Sequence, residues 1–165
     1  MKVFDLDLID THYYIKRNSI VEQIQFNNRT FYAKFERIDE PLTPLLLEQH
    51  LQREYTIAAP LLENGYTDYL VIEYKGEEYQ RFHYLIKHLF DTLHIEKYHI
   101  YQGKSEERIQ VFIEVDKLSL EEADKQLKEL SNLLKQKLTK KWKCLPDISL
   151  PEAYNIITLP YKKLI

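Results

Sequence analysis

The sequence predicts an α+β protein built on a split β-α-β sheet, and three observations predict it. Residues 69–116 read strand, helix, strand, strand: YLVIEYK, GEEYQRFHYLIKHLFDTL, KYHIYQ and RIQVFIEVD. A second helix and a last short apolar run follow, completing a β-α-β-β-α-β order. The first helix carries Phe82, Leu85, Ile86, Leu89, Phe90 and Leu93 at the spacing of one broad core-facing stripe. The second opens on Ser119 with Glu122 three residues later, a capping box.

Composition limits the function classes. With 165 residues, 44% apolar and 30% charged, the chain can build a real core in one compact domain. Three glycines leave no room for a glycine-rich phosphate loop. The net charge of −3 supplies no global attraction for nucleic acid, so any basic surface must be local. No run approaches the ~18 apolar residues that span a bilayer, and the acidic start is unlike a signal peptide. The single cysteine, Cys144, cannot form an internal disulfide and points to a reducing, cytoplasmic setting.

The chain before residue 66 reads as an N-terminal hairpin-and-helix extension, residues 1–65, ahead of a core of residues 66–165. Asp10-Thr11 could cap a short helical turn over residues 13–16. Residues 20–26 and 29–38 alternate like strands around Asn27-Asn28, a pair that tolerates the positive φ of a type I′ turn. In that register Ile24 faces Phe31 and Ile20 faces Phe35, with Gln23, Gln25, Tyr32 and Lys34 on the other side. Thr43-Pro44 starts a helix running to about residue 54. Residues 56–65 fit a short strand or a loop, and Asn64-Gly65 marks a turn. Residues 69–75 form an apolar interior strand. After residue 116 the capped helix runs to about Thr139, and residues 154–159 supply the last strand.

Few side-chain groupings carry chemistry. Asp5 and Asp7 would point the same way on a strand and could share a divalent cation, beside Asp10 and His12; equally, they form a solvated N-terminal segment. None of the six histidines has zinc-protease spacing, and His83 and His88 lie on different helix faces. No nucleophile-elbow motif is present, and Cys144 reads as an inert thiol. Lys140, Lys141 and Lys143 surround Trp142, with Lys135 and Lys137 before them and Lys162 and Lys163 beyond. Such a cluster can bind phosphates while an exposed tryptophan stacks a base, or it can simply complement the helix C-terminus.

From residue 69 onward the motif order resembles the prim-pol fold of archaeo-eukaryotic primases with its chemistry removed. In the strand LVIEYK, Glu73 stands in the first acid position and Lys75 in the second. The hairpin QGKSEERIQVFIEV keeps Gly103 and a basic polar turn, with Gln110 in place of the nucleotide-binding histidine. The tail PDISLPEAYNIITLPYKK offers Asp147 as the third acid and Thr158 where arginine is usual. The whole chain also resembles a small uncharacterised family of epsilon-type proteobacterial proteins, a domain of unknown function.

The resemblance implies a relic cleft lined by Glu73, Lys75, Lys104, Arg108, Gln110 and Asp147. Two-metal phosphoryl chemistry needs clustered carboxylates, and a lysine at the second acid position puts fixed positive charge where a cation would sit. The expectation is a catalytically degenerate prim-pol-like module without cofactor, binding nucleic acid, nucleotide or a protein partner. The alternatives are a protein-interaction scaffold and a metal-dependent nucleotidyltransferase or nuclease.

Overall fold

The computed structural model describes residues 1–165 as a mixed α+β chain with three helices and several antiparallel sheets. In chain order the first elements are β1 (Lys2–Val3), β2 (Leu6–Asp7), β3 (Tyr13–Lys16), β4 (Glu22–Phe26), β5 (Arg29–Ala33) and β6 (Phe35–Ile38). Then come α1 (Pro44–Leu51), β7 (Ile57–Pro60), β8 (Tyr66–Lys75), α2 (Tyr79–Leu93), β9 (Tyr98–Gln102) and β10 (Arg108–Ser119). The chain closes with α3 (Leu120–Lys135), β11 (Trp142–Leu145), β12 (Ile156–Thr158) and β13 (Lys162–Lys163).

Two compact units emerge. The first comprises Met1–Gly65 with Asp147–Leu159, and the second Tyr66–Pro146 with Pro160–Ile165. The turn at Asn64-Gly65, both with positive φ, lies at the passage from one to the other. The expected core of residues 66–165 is therefore interrupted, because residues 147–159 belong with the first unit.

The first unit holds an antiparallel four-stranded sheet in the order β12-β7-β3-β6, the hairpin β1-β2 and the hairpin β4-β5. The β4-β5 turn is made by Asn27 and Asn28 with φ of 50° and 61°, and Ile24 faces Phe31. Ile24, Phe26, Phe31 and Ala33 are half-buried and their alternating neighbours exposed, so the hairpin is one-sided as its pattern requires. Ile20 does not pair with Phe35. The ribbon breaks at Lys34, and Phe35 instead faces Lys16 in β3. Residues 13–16 form that strand rather than a helical turn: Tyr-Tyr-Ile is better suited to a half-buried pleat, and all three are buried.

Helix α1 is short but well tied. Thr43 Oγ1 accepts the Leu46 amide as N-cap, and Pro44 occupies the first turn. The one fully buried residue of α1 is His50. Its Nδ1 accepts the Ile57 amide at 3.0 Å and its Nε2 donates to the Leu159 carbonyl at 2.8 Å. One imidazole thus joins the helix, β7 and the segment following β12.

In the second unit the elements run β8-α2-β9-β10-α3-β11, and the antiparallel sheet order is β11-β8-β10-β9-β13. Each strand-helix-strand pair therefore flanks a strand of the other pair. The sixth element of the predicted order is Trp142–Leu145; residues 154–159, expected in that role, supply β12 to the first unit instead. A lysine-rich approach hides the four residues of β11 in the sequence.

Helices α2 and α3 cover one face of this sheet. Phe82, Ile86 and Phe90 pack with Leu70, Ile72 and Tyr74 from β8, while Leu93, expected in the stripe, is exposed. Ala123, Leu127, Leu130 and Leu134 bring α3 to the same core. Ser119 Oγ accepts the Glu122 amide, so the predicted N-cap forms. The helix ends at Lys135, earlier than expected, and Leu138 enters the core from beyond it.

Removing the His50 ring leaves a buried amide and a buried carbonyl without their partner. His50→Ala is expected to destabilise the first unit by about 3 kcal/mol, read from urea denaturation. An unchanged midpoint would show that the imidazole is not the tie described.

Candidate functional site

Strand alternation decides which side chains the second unit presents on the face away from its helices. Leu70, Ile72, Tyr74, Ile109, Val111, Ile113 and Ile100 point into the helix-covered core. Their neighbours Glu73, Lys75, Arg108, Gln110 and Tyr101 must then point the other way.

Register lines Glu73, Gln110 and Tyr101 with Lys143 and Lys163 in one row across all five strands. Lys143 faces Glu73, Glu73 faces Gln110, Gln110 faces Tyr101, and Tyr101 faces Lys163. At about 4.8 Å per strand the row spans about 19 Å, with a lysine at each edge. In the next row outward Lys75 faces Arg108 directly. Lys141 extends that row, since its carbonyl accepts the Lys75 amide at 3.1 Å.

Glu73 is held from both sides. Its Oε2 accepts Gln110 Nε2 at 3.1 Å, and its Oε1 pairs with Lys143 Nζ at 3.4 Å. The Glu73 side chain is 19% exposed while that of Lys143 is 69% exposed, so the carboxylate is largely withdrawn from water and the ammonium is not. A cation binding there would have to displace a lysine.

Two of the acids near this sheet end have partners on α2. Glu78 pairs with Arg81 on α2, and Tyr79 of α2 hydrogen-bonds the Glu106 carboxylate, which raises the Tyr79 phenol above its ordinary pKa. Between them, the Tyr74 hydroxyl accepts the Glu78 amide at 3.2 Å at the start of α2. Burial, foremost, pushes the Tyr74 phenol up as well. Gly76 is needed here: a Cβ would lie 2.8 Å from the Tyr74 hydroxyl and 2.9 Å from Lys141 Cδ. Gly103 has a similar reason, since its Cβ would meet Arg108 Cβ at 2.9 Å.

The residues singled out in the sequence divide accordingly. Glu73 and Gln110 touch, Lys75 and Arg108 are cross-strand partners, and Lys104 lies in the β9-β10 connection. Asp147 belongs to the first unit. There it accepts from the Ser149 amide and hydroxyl at 2.9 and 2.8 Å, as a local turn residue does.

Trp142 corrects the expectation of a stacking surface. It is buried, its indole N–H donates to Ser131 Oγ at 2.9 Å, and its ring lies 6.2 Å from that of Phe82. The even positions of β11 face the core, so Lys143 points outward while Trp142 cannot. Tyr101 and Lys163 complete the row, though no local pattern marks them as neighbours of Gln110. Recognising Trp142–Leu145 as a strand would have exposed the pattern.

The N-terminal aspartates do not form the pair imagined for them. Asp5 lies in the β1-β2 turn after Phe4, whose φ is 54°, and only Asp7 is in a strand. The terminal ammonium lies 3.6 Å from Asp7 and 3.1 Å from Asp10. No three His, Cys, Asp or Glu side chains gather closely enough to hold a metal ion. No helix is long and apolar enough to cross a membrane.

His83 on α2 is a partly buried titratable group whose state follows pH. Burial chiefly, and then Lys87, lowers its pKa, and its buried Nε2 has no hydrogen-bond partner. Since the folded state binds its proton less readily than the unfolded chain, stability is full above about pH 6.5 and falls as pH drops through the folded pKa. His83→Gln is expected to flatten that segment of the stability–pH curve. An identical slope in the variant would assign the acid sensitivity elsewhere.

Residues 1–66 match the model of a domain of unknown function (DUF1882). The match covers fewer than half of the 165 residues and stops beside the passage from the first unit to the second. No curated protein is similar enough to the chain to count as a match.

Proposed function

We propose that this chain is a non-enzymatic binding module that holds the phosphate backbone of single-stranded nucleic acid. The site is the Lys75–Arg108 end of the second unit's sheet, a prim-pol-like cleft that has lost its chemistry. The split β-α-β order supports the ancestry, and the engagement of Glu73 by Gln110 and Lys143 supports the loss.

The observation that carries the reading is the direct cross-strand apposition of Lys75 and Arg108. Like charges facing each other across a ladder oppose sheet formation. Here they stand at an exposed sheet end with Lys141 beside them and Lys143 behind. Of the nearby acids Glu73, Glu78 and Glu106 have partners, while Glu77 and Glu107 also lie close to Tyr74 and would compete with a polyanion for the cations. An incoming polyanion relieves the repulsion and releases its own counterions, which gives a salt-dependent affinity. Tyr101, Phe112 and Trp142 are buried, so contact falls on the backbone rather than the bases.

A metal-dependent nucleotidyltransferase has less support. Both Glu73 oxygens are occupied, and Asp147 is committed to its own turn.

Fluorescence anisotropy with a labelled 12-nucleotide single strand tests the proposal. If about four cations meet phosphates, log K should fall with log salt at a slope near −3, from about −0.7 per neutralised phosphate. Lys75→Ala/Arg108→Ala should weaken binding about tenfold at low salt and reduce the slope by about 1.4. Absence of binding at low salt, or a double variant that binds like the parent, would overturn it.

A further inference from the structure

The first unit's sheet is completed by a strand that returns from far along the chain. β7 is followed by 95 residues before β12 pairs with it, and the whole of β8 through β11 lies between. The stretch matching the domain of unknown function, residues 1–66, contains β7 but not the strand that covers its edge.

That edge is a built receptor. All four residues of β7 are buried, yet it is a short strand with β3 on one side only, apart from β12. Ile156, Ile157 and Thr158 face Pro60, Ala59 and Ala58. The Leu61 amide donates to the Asn155 carbonyl at 3.0 Å and the Leu159 amide to the Ile57 carbonyl at 2.9 Å, so backbone bonds bracket the segment at both ends. Side chains fix its register. Ile157 and Leu159 are fully buried, His50 takes the Leu159 carbonyl, and the buried Asn155 amide bridges both backbone groups of Asp147.

We infer that the β7 edge is a strand-receptor site, filled in cis by residues 155–159 and able to take the same segment from a second copy of this chain. The ligand class is an extended peptide with apolar side chains at the positions of Ile157 and Leu159 and a carbonyl placed to accept from His50. The second copy is the occupant because its segment carries the register, the buried Ile157 and Leu159 side chains and the Leu159 carbonyl that accepts from His50, all already fitted to the edge. Pro146 and Pro160 stand where the chain enters and leaves the segment, and proline biases the residue before it toward extended backbone. Each chain offers one donor segment and one acceptor edge, which closes as a two-fold dimer. In the monomer the tethered segment competes at an effective concentration of about millimolar or more, so exchange requires it to be released first.

The full chain carrying Ile157→Asp keeps the acceptor edge and weakens the donor. It is titrated with a labelled synthetic peptide of residues 147–161, following anisotropy and melting. Saturable binding that raises the melting midpoint toward the parent's is expected, with at least tenfold weaker binding of the peptide to the parent chain. No binding, or an unchanged midpoint in the variant before peptide is added, would overturn the receptor site. Should the aspartate prevent folding, Ile157→Ala serves the same titration. Separately, the parent chain is held at high concentration in urea near the first transition and returned to buffer. Light scattering should then find a dimer fraction that the Ile157→Asp chain does not form. A monomer throughout would overturn exchange between copies.

Discussion

The pairing register of β8 with β10 and β11 is the constraint on which the second unit depends. A slip of one residue would turn Leu70, Ile72 and Tyr74 out of the core and bring Glu73 and Lys75 into it. Because that face must bury its apolar set against α2 and α3, the opposite set has no freedom. Glu73, Lys75, Arg108, Gln110 and Lys143 are together because the hydrophobic core put them there. The functional reading of this sheet end is thus a consequence of packing, with the cations placed by the same alternation that buries Ile109 and Val111.

The Glu73–Gln110 pair in the row leaves little for a metal to bind. A carboxylate at Glu73 that kept free oxygens could serve a metal; one that accepts from Gln110 and pairs with Lys143 is neutralised from within the protein. The ion pair itself contributes little to stability, since Lys143 is mostly in water. Its effect is to compete with a cation for the same oxygens. Beyond this pair Lys75 and Arg108 face each other with Lys141 beside them, and the acids Glu77 and Glu107 lie near the same sheet end.

Where local chemistry determines structure, the sequence was readable. The Asn27-Asn28 turn, the Thr43 and Ser119 caps, and the α2 stripe through Phe82, Ile86 and Phe90 each follow from neighbours within a few residues. What the sequence hid depended on distant partners. Residues 13–16 became a strand because β6 and β7 pair with them. Residues 154–159 read locally as a strand of the nearer sheet, while the clamp at His50 and the edge of β7 capture them for the first unit. Trp142 looked like an exposed aromatic among lysines; only pairing with Tyr74 turns it inward and sends Lys143 outward. Cross-strand row members cannot be found without the register, so Lys163 and Tyr101 were invisible as neighbours of Gln110.

The claim that the outer end of this sheet holds a phosphate backbone is tested most directly by lysine footprinting. The chain is acetylated with and without a single-stranded 12-nucleotide oligomer, and each lysine's reactivity is read by mass spectrometry. Lys75 and Lys141 should be protected, with Lys143 protected more weakly because Glu73 shares it. Lys87 on α2 and Lys125 on α3, across the sheet, should react as before. Protection spread evenly over the lysines, or concentrated on the helices, would contradict the account.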